Sequence, residues 1–117
     1  MPIVKFEDLI AWKKSQDLAL EIYGTFKDLK DWGFKDQICR AVISISNNIA
    51  EGFDRHSPRE FKRFLYISTG SASEVKSMLY LAERLSFIDK NKANQLISDV
   101  NEVSKIIYGL IKSVESK

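Results

Sequence analysis

SPREFKRFLYISTGSASEVKSMLYLAERL, residues 57–85, is the stretch that decides the fold. It opens with Ser57-Pro58-Arg59-Glu60, which reads as a capping box. The Ser57 hydroxyl meets an orphan amide, Pro58 fits the first helical position, and Glu60 reaches back to the cap. Beyond the box, Phe61, Leu65, Ser68, Ala72, Val75, Leu79 and Ala82 recur at steps of three and four and make one helical seam. Phe64, Ile67, Ser71, Met78, Leu81 and Leu85 make a second, displaced around the helix. A helix with two apolar seams predicts two packed neighbours, as in a bundle. Glu74 interrupts the second seam, and a carboxylate there calls for a cationic or hydrogen-bonding partner.

Upstream, residues from about 34 to 55 fall into two narrow sectors when placed at about 100° per residue. Ile38, Val42, Ile45, Ile49 and Phe53 share one; Gln37, Arg40, Ser44, Asn48, Glu51 and Arg55 share the other. Downstream, Leu96, Val100, Val103, Ile107, Leu110 and Val114 form a heptad seam on a last helix, with Asp89 as its N-cap. The first segment carries Leu9, Trp12, Ala19, Ile22, Tyr23, Phe26 and Leu29, and Asp31-Trp32-Gly33 breaks it from the second. The expected fold is all-α: a single domain over 1–117 with helices at about 6–30, 34–55, 58–85 and 89–115. Helices of that size are about 30 to 42 Å long. Short turns between them predict an antiparallel up-down-up-down four-helix bundle.

The polar sector of the second helix is unlike an ordinary solvated face, which carries interchangeable Lys and Glu. If the turn centres near Ser57, antiparallel pairing sets Arg40 level with Glu74, Ser44 with Gly70, Glu51 with Arg63, and Arg55 with Arg59. The row of Gln37, Arg40, Ser44, Asn48 and Glu51 with Glu74 then has two readings. It is a set of satisfied interhelix contacts within one subunit, or part of it specifies register at a subunit interface.

Composition narrows the function classes. The 117 residues hold five Gly and two Pro, too few for an all-β sandwich with a turn every ten residues or so. One Cys and one His exclude an internal disulfide and a tetrahedral zinc site built from the chain alone. A lone Cys39, no signal-like start and no long apolar run predict a cytoplasmic protein without membrane contact. No phosphate loop, dinucleotide fingerprint or metal spacing occurs, so no cofactor is expected. Cys39 and His56 lie about 25 Å apart along a continuous helix, out of reach for a nucleophile–base dyad. The expectation is a protein that is not an enzyme.

Charge is uneven beneath a net +2. Residues 1–56 carry eight Lys/Arg against nine acids, and residues 57–117 ten against seven. Arg55, His56, Arg59, Lys62 and Arg63 gather at one end with the amino end of the third helix, a candidate site for phosphate. The plainer reading is a solvated cap, partly neutralised by Asp54 and Glu60. Trp12, Trp32, Phe61, Phe64 and Tyr66 are of the type that stacks bases, but their helical spacing beside Leu and Ile favours the core for most of them; Trp32, in a turn, is the candidate for a subunit contact.

The run Gln37-Ile38-Cys39-Arg40-Ala41-Val42-Ile43-Ser44-Ile45-Ser46-Asn47-Asn48-Ile49-Ala50-Glu51-Gly52 resembles the signature of a bacterial four-helix bundle protein family. Its members are encoded in intervening sequences of 23S ribosomal RNA genes and are related to the accessory variability protein of diversity-generating retroelements. The resemblance continues through Phe53, Arg55, Ser57 to Phe64, and Gly70-Ser71 with Glu74; Phe6-Glu7-Asp8-Leu9, Trp12-Lys13 and Ile22-Tyr23 are also similar. Lys27 and Lys30 stand where the family usually has Pro and Glu, which predicts a longer first helix, and Asp54 replaces a small residue. The resemblance implies a ring-shaped homo-oligomer, commonly a pentamer. From the retroelement relatives it implies binding of RNA or DNA and of a reverse transcriptase. Symmetry multiplies a modest patch, so the expected function is a non-enzymatic accessory scaffold that binds nucleic acid through Arg55, Arg59, Lys62 and Arg63. The alternative is a protein-interaction ring with no nucleic-acid affinity.

Overall fold

The computed structural model describes residues 2–115. A short 3-10 turn at Phe6–Asp8 precedes four helices: α1 (Ile10–Phe26), α2 (Trp32–Asp54), α3 (Pro58–Arg84) and α4 (Lys90–Glu115). They form a rod of 45 × 22 × 20 Å in which α1 packs on α2 and α4, and α3 packs on α2 and α4. No strand occurs among the described residues, so the all-α four-helix expectation holds.

Side chains cap the start of three helices, at Ser57 and Asp89 as the sequence predicts and at Asp31, where it predicts only a break. Asp31 Oδ1 accepts from Phe34 N at 3.1 Å, Ser57 Oγ from Glu60 N at 3.3 Å, and Asp89 Oδ1 from Lys92 N at 2.7 Å. Each satisfies an amide that has no partner within the helix. The capping box at Ser57 is only half made. The Glu60 carboxylate turns to Arg63 instead, with both oxygens engaged at 3.1 Å. Asp31-Trp32-Gly33 does not break a helix but starts one, and Trp32 is the first residue of α2.

The first helix is shorter than expected at both ends, and does not run longer. Leu9, φ −73° and ψ 126°, is extended and parts the 3-10 turn from α1. At the other end α1 stops at Phe26, whose ring meets Phe34 of α2 at 5.7 Å. Lys35 Nζ reaches back to accept the role of cap, donating to the Lys27 carbonyl oxygen at 2.7 Å. Neither α2 nor α3 ends on glycine. His56 (φ 54°) and Ser86 (φ 62°) take the left-handed conformation that usually selects it. After α3, Ser86 N donates to Glu83 O at 3.0 Å and Phe87 N to Ala82 O at 2.9 Å, the paired bonds of a Schellman closure.

The core follows one face of each helix. Ala11, Ser15, Leu18, Ile22 and Phe26 are buried on α1, while Tyr23 is exposed. Ile38, Val42, Ile45 and Ile49 of α2 are wholly buried, as are Leu65, Ser68, Ala72, Val75, Leu79 and Ala82 of α3. Ser68 costs little there, because its Oγ donates to the Ile45 carbonyl at 2.8 Å and ties α3 to α2. On α4 the buried line drifts from Ile107 to Ile111, leaving Leu110 and Val114 half-buried. A 3.6-residue helix drifts from a strict heptad in this way.

The second seam of α3 is not a second core face. Phe64 is buried, but Ile67, Leu81 and Leu85 remain 40%, 46% and 48% exposed. Ser71 and Glu74 on the same flank bond to α2, which places the strip along the outer edge of the α2–α3 contact.

Candidate nucleic-acid interface

The α2–α3 turn gathers the basic cluster at one end of the rod. Backbone crowding comes first: a Cβ added to Gly52 would stand 2.5 Å from Phe64 Cβ and 3.3 Å from Phe61 Cδ1. Only glycine lets α3 approach α2 this closely. The buried Phe64 ring thereby becomes a platform, with the Arg63 guanidinium carbon 4.6 Å and that of Arg55 5.0 Å from its centroid.

Three of the four cations have acidic partners. Arg55 pairs with Glu51 at 3.2 Å, Arg63 with Glu60 at 3.1 Å, and Lys62 with Glu115 of α4 at 3.4 Å. The Arg63 hydrogen bonds hold the Glu60 carboxyl below the usual carboxylate range. Arg59 is exposed and forms no ion pair among the described residues. The structure therefore brings Arg55 and Arg63 over one ring and supplies counter-charges to three of the four cations.

The level pairings expected along the polar row are corrected. Arg40 bonds Asp36 one turn away at 2.8 Å and stands in solvent, not opposite Glu74. Glu74 instead accepts from Gln37 Nε2 at 3.2 Å, also in solvent. Glu51 takes Arg55, on its own helix, in place of Arg63. Residues three or four apart on one helix are close neighbours, and Arg40 and Arg55 each take the acid one turn back on α2. Only the short residues keep close to the expected register: Ser44 meets Ser71, one place from Gly70, at 2.8 Å. Asn48 folds back onto Ser44, donating to its carbonyl at 2.8 Å and its hydroxyl at 2.9 Å. Phe64, Gly52 and Glu115 were not singled out for this site. Gly52 and Phe64 stand nearly equidistant from Ser57, so the turn itself brings them level.

Beside the turn lies a cleft of about 400 Å³ between the N-terminal residues, the turn and the last turn of α4. Leu9, Phe53, Phe61, Leu110 and Val114 wall it, and His56 stands at its turn side. Phe53 meets Phe61 edge-on at 5.6 Å and His56 at 6.4 Å. Cys39 is elsewhere, buried two turns into α2, and burial raises its thiol pKa, which suppresses the thiolate. No group of metal-ligating side chains is gathered among the described residues, and no described helix is long and apolar enough to cross a membrane.

The profile of the 23S rRNA-intervening sequence proteins matches residues 7–109. The chain belongs to that family. A solved structure from Bacteroides thetaiotaomicron, described as a protein of unknown function from the S23 ribosomal protein family, is similar at 27% identity. The match covers 88% of this chain and 99% of that one, with a TM-score of 0.82. No curated protein matches. The family resemblance read from Gln37 to Gly52 thus holds over most of the chain. The descriptions of this intervening-sequence protein family and of the neighbour carry no enzymatic activity.

Proposed function

We propose that this intervening-sequence protein is a cytoplasmic, non-enzymatic, homo-oligomeric scaffold that binds RNA or DNA through Arg55, Arg59, Lys62 and Arg63. The observation that carries the reading is the concentration of these cations within about two helical turns at one end of the rod. Their pairing with acids does not silence them. Arg55, Lys62 and Arg63 keep 48%, 41% and 55% of their side chains exposed, and such surface pairs contribute about 0–1 kcal/mol each. A phosphate replaces a carboxylate at low cost, and counterion release adds to the gain. The family's name, with its ribosomal RNA association, favours the same class of ligand.

Two apolar strips support assembly into a ring, with a pentamer as the count implied by the family resemblance. Ile67, Leu81 and Leu85 line the outer α2–α3 edge, and Leu20, Tyr23 and Ile43 line the groove between α1 and α2. The strips differ, so a contact between one and the other is head-to-tail, the geometry that builds a ring when its rotation closes. Light scattering is expected to give a multiple of 13.4 kDa, and a monomer at micromolar concentration refutes the ring. Anisotropy with structured RNA across a salt series tests the patch. Binding that weakens with salt and falls on joint substitution of the four cations supports it; binding absent at low salt, or indifferent to those substitutions, refutes it.

The same strips favour a second reading, a ring that engages only proteins, with a reverse transcriptase as the partner implied by the retroelement relatives. A single protein recovered by pull-down, unaffected by nuclease, favours that reading.

A further inference from the structure

We infer that the cleft at the α2–α3 turn receives one unstacked nucleobase of a single strand, with Arg59 holding the adjoining phosphate. This rests on the nucleic-acid reading above and specifies the form of nucleic acid that the site takes. Three observations converge. The cleft, at about 400 Å³, has the size of pockets that bury planar ligands, and its walls are mainly apolar. A base presents two apolar faces whatever its identity, so such walls suit it without sequence readout.

The turn-side wall is aromatic. Phe53, Phe61 and His56 meet there edge-to-face, and His56 is held at φ 54° against Phe53. Glycine would take that conformation without steric cost; the chain places an imidazole there instead. Charge complements the walls. Pro58 lines the cleft, and the next residue, Arg59, is the cation of the cluster that has no ion pair among the described residues. A base buried in the cleft carries its phosphate outward, toward the exposed cations. Duplex bases are stacked and paired, so only a single strand or an unpaired loop delivers one.

The test compares a labelled single-stranded RNA with the same sequence as a duplex, by anisotropy at fixed salt, using the whole chain. A copy carrying 2-aminopurine reports stacking. The single strand is expected to bind about tenfold more tightly, with a change in 2-aminopurine emission. Two variants remove that advantage while keeping the salt slope: Val114→Trp, which fills the cleft from α4, and His56→Gly, which removes the ring and relieves the backbone. His56→Gly is expected to melt no lower than the parent, so it decides the matter if Val114→Trp folds poorly. Equal affinity for both strand forms, unchanged in His56→Gly, overturns the cleft proposal and leaves the charged patch standing. Binding of neither form overturns both.

Discussion

Ser71 Oγ donates to Ser44 Oγ at 2.8 Å, and Asn48 Nδ2 donates to the same oxygen at 2.9 Å. One hydroxyl on α2 thus collects a donor from its own helix and another from α3. Ser44→Ala leaves Asn48 its bond to the Ser44 carbonyl but strands Ser71 at a half-buried site. The expected loss is about 1 kcal/mol in urea unfolding, with a smaller loss for Ser71→Ala, which spares the Asn48 contacts.

Glu74→Ala is expected to change stability by less than about 0.5 kcal/mol. The carboxylate is exposed and bonded to the exposed Gln37, so its removal strands no buried charge. Chemical denaturation of the purified protein checks this, and a loss of several kcal/mol would point to a contact made in the oligomer.

Gly52→Ala is expected to destabilise by at least about 2 kcal/mol. The new methyl meets the first side-chain carbon of Phe64, which has no rotamer to escape into, so the helices themselves must part. Gly70→Ala is the control, since a Cβ there meets nothing within 4 Å. Melting both variants beside the parent separates crowding from helix propensity.

Asp99 gives a pH signature. Burial, then the charges of Glu21 and Glu102, raise its carboxyl pKa, against the pull of Lys92 and Lys14. A carboxyl raised in the folded state is penalised when ionised. The penalty is full above the raised value and is relieved as pH falls through it toward the ordinary range near about 4. Asp99→Asn is therefore expected to raise the melting temperature at neutral pH, with the gain vanishing in acid. Glu60, lowered by Arg63, acts with the opposite sign: its contribution is lost as pH falls.

The legible parts of the sequence were those set by short-range chemistry or strict periodicity. Ser57 and Asp89 announce their helices because a cap needs only its own next turn. The buried faces of α2 and α3 follow from spacing alone. The ends of α1 do not, because nothing local marks them. Leu9 continues the apolar period even as its backbone leaves the helix, and Phe26 is the last helical residue through its contact with Phe34, a tertiary event. The candidate site was half legible. Its cations were plain in the sequence, whereas the choice of partner by Arg40, Glu51 and Glu74 depends on side-chain reach, which level-pairing along two helices does not encode.

Pro2 and Val114, far apart in sequence, wall the same cleft, so the path of the described residues nearly closes on itself. A short linker between them, with new ends opened at Ser86, would reorder the covalent sequence and keep the four helix pairings. It would also move both ends to the far pole of the rod, where Phe34 and Phe87 meet at 5.2 Å, leaving the cationic pole unobstructed by tags or tethers.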